Sequence, residues 1–139
     1  MLTGQVIYSL LSGNSTVASM TGGRIAPSFQ AQAAADFPNI YFYSTNTDQQ
    51  QTLAGPNVCA LEENVKIVVQ ANSYAEMVAL TMAVISAMRI IRNTIAGIPV
   101  QGVFFKDSDE SELNIPDLGN SFVVNVNEIE FKIIFDLPS

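Results

Sequence analysis

The chain has 139 residues, of which 48% are hydrophobic and 14% are charged, and 13 acidic against 6 basic residues give a formal charge of −7. A chain this apolar can offset its ordering entropy by building a core, so intrinsic disorder is excluded and one domain over residues 1–139 is expected. The acidic balance has the wrong sign for tight binding to phosphates, and the absence of histidine excludes a Ser-His-Asp triad and His-ligated zinc.

Two short helices are predicted at the start of the chain. Apolar residues from Val6 to Leu11 recur at helical spacing before Gly13-Asn14 interrupts the run. Ser15-Thr16 is expected to cap a second helical turn, which Gly22-Gly23 ends because glycine readily adopts the left-handed backbone conformation. Arg24 to Phe29 is then predicted to form a strand with Ile25 facing inward.

Strands separated by polar loops are predicted in the middle of the chain. Asn39 to Thr47 is rich in aromatic and β-branched residues on both faces, which predicts a central strand. Val58 to Gln70 continues the sheet. The polar segments Gln30 to Ala35 and Asp48 to Asn57 are predicted to be mobile loops, the second of them a long hairpin connection.

A long helix is the clearest predicted element. Ser73-Tyr74-Ala75-Glu76 fits the capping-box pattern, and the helix is expected to run to Gly97. Its predicted buried face consists of Met77, Leu80, Thr81, Val84, Met88, Ile91 and Ile95. Further apolar residues lie outside that face, namely Val78, Met82, Ile85 and Ile90. A neighbour within the chain is favoured over a partner subunit to cover them.

Near the predicted end of this helix, Arg89 and Arg92 would lie one turn apart. This placement favours an interaction with the helix dipole over phosphate binding. Cys59, the single cysteine, is interpreted as a small core residue. The N-terminus lacks the features of a signal peptide, and the most apolar run, Met77 to Met88, is about half of the ~20 residues that span a bilayer, so a soluble protein without membrane contact is expected.

The last third of the chain is predicted to contain a strand, a loop and a long final strand. Val100 to Lys106 is the strand, and Asp107 to Asp117 is the acidic loop. In the final strand the apolar positions change phase near Asn127-Glu128, which predicts a bulge or break there. The fold class is therefore α/β (α+β), with a mainly antiparallel sheet packed by one long helix and a short N-terminal helix.

Four acids form the densest functional candidate: Asp107, Asp109, Glu110 and Glu112. They do not match a calcium loop, because the positions that need glycine and a bidentate glutamate hold Glu112 and Leu118. A solvated acidic surface is favoured over a metal site, although a pair of carboxylates acting as acid and base remains open. No nucleotide-binding glycine motif is present, so no cofactor is expected.

Several segments in order carry a resemblance to a known family. They are Val6-Ile7-Tyr8-Ser9-Leu10-Leu11, Gly23-Arg24-Ile25 with Pro27, Phe37-Pro38 before Asn39-Ile40-Tyr41-Phe42-Tyr43, and Val65 to Gln70 leading into Ser73-Tyr74-Ala75-Glu76. Together they resemble the tail completion proteins of long-tailed bacteriophages, also called tail terminators or head-tail joining proteins. The resemblance covers residues 4 to 95, and the family's C-terminal pattern is not matched after Gly97.

The resemblance implies a structural virion protein of the tail and neck, assembled in the host cytoplasm, and not an enzyme. Such a subunit forms a ring, usually a hexamer, on the head-proximal end of the tail tube. Its partners would be further copies of itself, the major tail tube protein and the head-tail connector protein. DNA would pass through the lumen without stable binding, and Asp107, Asp109, Glu110 and Glu112 would form a lumen or partner surface.

Two other classes of function remain open from the residues alone. One is a small dimeric α+β module that binds a ligand. The other is an enzyme that uses carboxylates alone, for which a strongly raised carboxylate pKa would be the signature.

Overall fold

The computed structural model describes residues 4–27, 37–51, 58–89, 91–117 and 120–136. Within these ranges the chain forms three helices and six strands. They are α1 (Gly4–Ser12), α2 (Ser15–Thr21), β1 (Ile25–Ala26), β2 (Asn39–Gln51), β3 (Val58–Ala71), α3 (Tyr74–Ala87), β4 (Ile91–Ile95), β5 (Ile98–Asp117) and β6 (Asn120–Asp136).

The strands form one sheet in the order β1-β2-β3-β6-β5-β4. β1 pairs with β2 in parallel, and all other neighbours pair antiparallel. The fold is therefore α+β with a mainly antiparallel sheet, as predicted. The helices pack on one face, with α3 over β3 and β6, while α1 contacts both β1 and β4. Because β1 and β4 are the two outermost strands, the sheet must curl around the helices.

The N-terminal helices are confirmed, with a different cap. Asn14, not Ser15-Thr16, caps α2, and its side-chain oxygen accepts the backbone N–H groups of Thr16 and Val17, each at 3.1 Å. Gly22 ends α2 at φ 61°. Ile25 is buried as predicted, but β1 comprises only Ile25–Ala26 within the described residues.

The predicted long helix is shorter than expected. Its capping serine is confirmed, because the hydroxyl oxygen of Ser73 accepts the N–H of Glu76 at 3.2 Å. Its inner side is also confirmed, with buried residues Met77, Leu80, Thr81, Val84 and Met88. The extension to Gly97 is wrong, since α3 ends at Ala87 and Ile91–Ile95 forms β4.

A tight hairpin replaces the predicted end of the helix. Ala96 and Gly97 both have positive φ, 52° and 80°, and join Ile95 directly to its partner Ile98. Two consecutive residues with positive φ make the turn that best fits the twist of a two-residue hairpin. Arg89 and Arg92 therefore do not lie one turn apart on a helix, and Arg92 belongs to β4.

The predicted acidic loop is wrong. Asp107 to Asp117 continues β5 and pairs with β6 from Glu130 back to Asn120. Aspartate, serine and glutamate are poor strand formers, so pairing with an already ordered strand overrides local preference here. β2 likewise continues through Asp48 to Gln51, which shortens the predicted hairpin connection.

β6 has no bulge near Asn127-Glu128. It pairs with β3 in continuous register from Ala60↔Asp136 to Ala71↔Asn125. The change of phase has another cause: Val124 and Val126 face away from the helices, whereas the odd-numbered positions from Asn127 onward face them. The register shifts lie in β5 instead, between Val100 and Gly102 and between Phe105 and Asp107.

Two apolar clusters result from this arrangement. The main core lies between the sheet and the helices, and a smaller cluster on the other face contains Phe37, Val68, Val124 and Val126. We call this other face the open face. β2 was predicted to be central, but among the described residues β1 covers it only at Ile40 and Tyr41. The segment Gln30 to Ala35, residues 52–57 and the side chain of Cys59 lie outside the description.

Candidate functional site

The four acids of the predicted cluster lie on β5 and are divided between the two faces of the sheet. Asp107 and Asp109 are opposite Glu130 and Glu128 of β6, which belong to the open face. Glu110 and Glu112 are opposite Asn127 and Asn125, on the face that carries the helices. All four are exposed. Side chains alternate along a strand, so the structure does not bring these carboxylates together in one site.

The open face carries a layer of ion pairs across three neighbouring strands. The ammonium nitrogens lie 3.6 Å from the carboxylate in Lys66–Glu128, 3.4 Å in Lys106–Glu130 and 3.0 Å in Lys132–Glu62. Lys106 also donates to the side-chain oxygen of Asn64 at 3.1 Å. These pairs are partly exposed, so each contributes little stability. Their consequence is electrostatic, because the lysines of this face are neutralised while Asp107 and Asp109 add further negative charge.

A hydrogen bond joins the start of α3 to β5. The hydroxyl of Tyr74 donates to the carboxylate of Glu110, and this bond, together with the negative charge of Glu110, raises the pKa of Tyr74. Tyr74 is exposed, so the contact lies at the surface. On the open face, burial raises the pKa of Tyr41, and the nearby Tyr43 and Glu128 add to that effect.

Two polar side chains of the described interior have an oxygen without a partner. The amide nitrogen of Asn127 donates to the hydroxyl of Thr81 at 3.2 Å, which ties β6 to α3. The side-chain oxygens of Asn127 and Gln70 are buried without a hydrogen bond. Across the described part of the chain, no three His, Cys, Asp or Glu side chains lie close enough together to hold a metal ion.

An open apolar groove of about 700 Å³ lies along the outer side of α1. Gly4, Gln5 and Tyr8 of α1 form one wall, and Pro27, Phe42 and Ala96 contribute to the others. Pro27 and Phe42 belong to the β1–β2 side of the sheet and Ala96 to the hairpin between β4 and β5, so the groove lies where the curled sheet approaches α1 from both sides. The sequence did not indicate this groove, because it depends on the curl of the sheet around α1.

The opposite edge of the sheet is β5 beyond Gly102. β4 pairs with β5 only between Ile98 and Gly102, so over the described residues from Val103 to Asp117 its only partner strand is β6. Phe104 and Phe105 lie at this edge with 50% and 51% of their surface exposed. Phe104 is opposite Lys132 and Phe105 is opposite Phe131, so the two rings lie on different faces. The sequence predicts a strand from Val100 to Lys106, but it does not indicate that this aromatic pair lies at an edge of the sheet.

Comparison with known proteins shows a shared fold but no shared family. No protein-family model matches the chain, and no curated protein matches it. A solved structure titled as the virion of a native gene transfer agent particle contains a chain with the same fold. The TM-score is 0.66 at 13% sequence identity, over 95% of this chain and 92% of that chain. No helix in the described ranges combines the length and hydropathy needed to cross a membrane.

Proposed function

We propose that this chain is a structural subunit of the virion of a tailed phage or phage-like particle and not an enzyme. The observation that supports this most is the shared fold with a chain of a gene transfer agent virion, which extends over 95% of this chain. An assembly subunit needs contact surfaces, and the exposed apolar residues and uncovered strand edge provide candidates for them.

Within the virion, the proposed role is tail completion. Copies of the chain form a ring, taken as a hexamer, at the head-proximal end of the tail tube, where they stop tube polymerisation and join the tail to the head connector. The resemblance of residues 4 to 95 to tail completion proteins supports this role. A ring built from one kind of subunit requires two different surfaces that fit each other, and the sheet has two different edges.

The charge of the open face suits a lumen through which DNA passes. Lys66, Lys106 and Lys132 of that face are held in ion pairs, so few cations are left to bind phosphates. Asp107 and Asp109 add negative charge to it. Like charges repel, and DNA would slide past such a surface without stable binding.

Tube assembly in the presence and absence of this chain tests the role. Purified tail tube protein from the same particle should form long tubes alone and shorter tubes with one capped end when this chain is added, as measured by electron microscopy. A gene deletion should give over-long tubes that do not join heads. Tubes of equal length and unchanged ends under both conditions would rule out tube termination.

The division of the acids between two faces allows a sharper test of the lumen. Replacing Asp107 and Asp109 with lysine should slow passage of the genome while tails still assemble. Replacing Glu110 and Glu112 with lysine makes the same change of charge on the other face and serves as the matched control. If only the replacement of Glu110 and Glu112 slows passage of the genome, the open face does not line the lumen. Micromolar or tighter binding of the unmodified subunit to duplex DNA at physiological salt would contradict the lumen hypothesis as a whole.

A second candidate is a small ligand-binding module, favoured by the apolar groove beside α1. Ligand sites are typically concave and largely apolar, and the groove has a suitable volume. Sedimentation distinguishes the two candidates. A discrete dimer that tail tube protein leaves unchanged would favour the module, whereas a larger ring stabilised by the tube protein would favour tail completion.

A further inference from the structure

We propose that copies of this chain join head to tail by pairing Phe42 to Asn46 of β2 in one copy with Val103 to Asp107 of β5 in the next copy, so that Phe105 lies at the groove beside α1. The inference rests on the proposed ring and names the surface that builds it. Its basis is the two sheet edges that have no further partner strand among the described residues, the exposure of Phe104 and Phe105, and the distribution of charge.

The two phenylalanines indicate an added strand. Phe104 and Phe105 are consecutive residues on opposite faces of β5, and half of each side chain is exposed. A helix or domain docked on one face would cover only one ring. A strand added to the edge has side chains on both faces, so it can cover both rings while its backbone pairs with that of β5.

Charge selects between the possible partners for that edge. Two β5 edges paired with each other would bring Asp107, Asp109, Glu110 and Glu112 of both copies together, and like charges on neighbouring strands are destabilising. Acids on an edge strand are also a common protection against unwanted pairing. The acidic edge therefore disfavours a symmetric dimer through β5.

The other edge of the sheet carries the complementary surface. The described side chains at residues 24–27 and 39–45 include no carboxylate and one cation, Arg24. Arg24 is exposed and anchored where its Nε donates to the carbonyl oxygen of Pro38 at 3.0 Å. Beyond Tyr41, no described strand other than β3 pairs with β2. The segment Phe42 to Asn46 carries no charged residue. Head-to-tail association therefore brings a neutral edge to the acidic edge and avoids the repulsion of a β5–β5 pair.

Strand direction and level are consistent with this junction. The pairing of β2, β3, β6 and β5 is antiparallel at each step, so β5 runs opposite to β2. Rotation about an axis parallel to the strands preserves their direction, and β5 would therefore meet the next β2 as an antiparallel pair.

The same pairings show which residues of two neighbouring copies would lie opposite each other. Phe105 pairs with Phe131 of β6, Phe131 pairs with Val65 of β3, and Val65 pairs with Ser44 of β2, so the four residues lie in one row across the sheet. Without a shift along the axis, Phe105 would face Ser44 of the next copy. Ser44 is two residues from Phe42 on the same face, and Phe42 lines the apolar groove. The exposed ring of one copy would then lie at the groove of its neighbour.

Cysteine cross-linking tests the junction directly. In a Cys59→Ala background, the double variant Ser44→Cys/Phe105→Cys should give a ladder of covalent multimers on oxidation, because opposite residues of an antiparallel pair have the Cα spacing of a disulfide. Within one copy the two positions are separated by three strand spacings, about 14 Å, so no internal disulfide can form. If the two strands pair with a shift of two residues, a short bis-maleimide should cross-link the two cysteines although they are too far apart for a disulfide. The matched control is Ser44→Cys/Met82→Cys, which places the second thiol at an exposed apolar site on α3 and should give no ladder.

A second variant measures the contribution of the ring at Phe105. Phe105→Asp should leave the chain folded by circular dichroism but monomeric at concentrations where the unmodified chain forms multimers. Met82→Asp, at a side chain with 64% exposure, should retain the multimers. Native mass spectrometry, with and without tail tube protein, measures both.

The possible outcomes distinguish failure of the β2–β5 junction from failure of the proposed ring. Multimers of the unmodified chain that give no ladder from the double variant would overturn the β2–β5 junction while the proposed ring survives. A disulfide-linked dimer from Phe105→Cys alone would show symmetric β5 pairing and would also overturn it. A chain that stays monomeric even with tail tube protein would remove both the junction and the proposed ring.

Discussion

β5 and β6 are neighbouring strands of similar length in the same sheet, yet their surroundings differ. β6 has a partner on each side, and its described residues from Val124 to Phe135 include none that is exposed. β5 has one described partner after Gly102, and every residue from Phe104 to Glu112 is exposed. Both faces are exposed over this length, and among the described residues no strand other than β6 pairs with this part of β5. We call β6 and the core between the sheet and α3 the covered part, and β5 from Val103 onward the uncovered part. The predictions below test the contrast between these two parts.

The largest expected effect is loss of folding when a charge enters the covered part. Leu80→Asp or Val84→Asp places an unpaired carboxylate in the core between α3 and the sheet, which should destabilise by about 3–5 kcal/mol or prevent folding. Ser108→Asp introduces the same group on β5 and should change the melting temperature little. A melting temperature of the Leu80 or Val84 variant equal to that of the unmodified chain would show that the core face is wrongly assigned.

Hydrogen exchange should separate the two strands by several orders of magnitude in the monomer, because amides of a central strand open only in large unfolding events. We expect slow exchange throughout Val124 to Phe135 of β6. Amides of Val103 to Glu112 that point away from β6 should exchange rapidly. Multimer formation should protect those amides and leave β6 unchanged. Equal protection of both strands in the monomer would contradict the contrast between them.

A smaller effect is expected at the polar contact inside the covered part. Thr81→Val removes the acceptor of the Asn127 amide and leaves a buried donor without a partner, which should cost about 1–3 kcal/mol. The double variant Thr81→Val/Asn127→Leu removes both polar groups and should recover most of that loss in urea denaturation. If the double variant is no more stable than the sum of the two single changes predicts, the pair does not interact as described.

The covered part was also the part that sequence reasoning predicted well. Leu80 and Val84 were placed correctly on the buried side of α3 because helical spacing and the Ser73 cap agree with each other. The inward positions of β3 followed from alternation in the same way. These patterns are local, since each residue's environment can be inferred from neighbours within a few positions in the chain.

The errors occurred where a distant strand decides the structure. Ile91 and Ile95 fit helical spacing as well as a strand, and pairing with β5 selects the strand. Asp107 to Glu112 has the composition of a loop, and pairing with β6 makes it part of β5. The candidate site was affected in the same way. Composition identified its four acids, but their division between two faces follows from alternation along a strand. That alternation cannot be inferred for a segment predicted to be a loop.

The smallest expected effect concerns the contact between Tyr74 and Glu110 at the boundary of the two parts. The bond to Glu110 and its negative charge favour the neutral phenol, so the pKa of Tyr74 in the folded chain is raised above the unfolded value of 10.0. This contribution to stability is present below that value and is lost as the pH rises through the folded pKa. Glu110→Gln should shift the titration of Tyr74 to lower pH, because the neutral amide no longer opposes the phenolate.

The ultraviolet difference spectrum isolates Tyr74 when the same titration of Tyr74→Phe is subtracted, which also removes the signal of Tyr41. Glu112→Gln, one residue further along the same face of β5, is the control. An equal shift from both variants would indicate a general effect of charge and would exclude the specific contact between α3 and the edge strand.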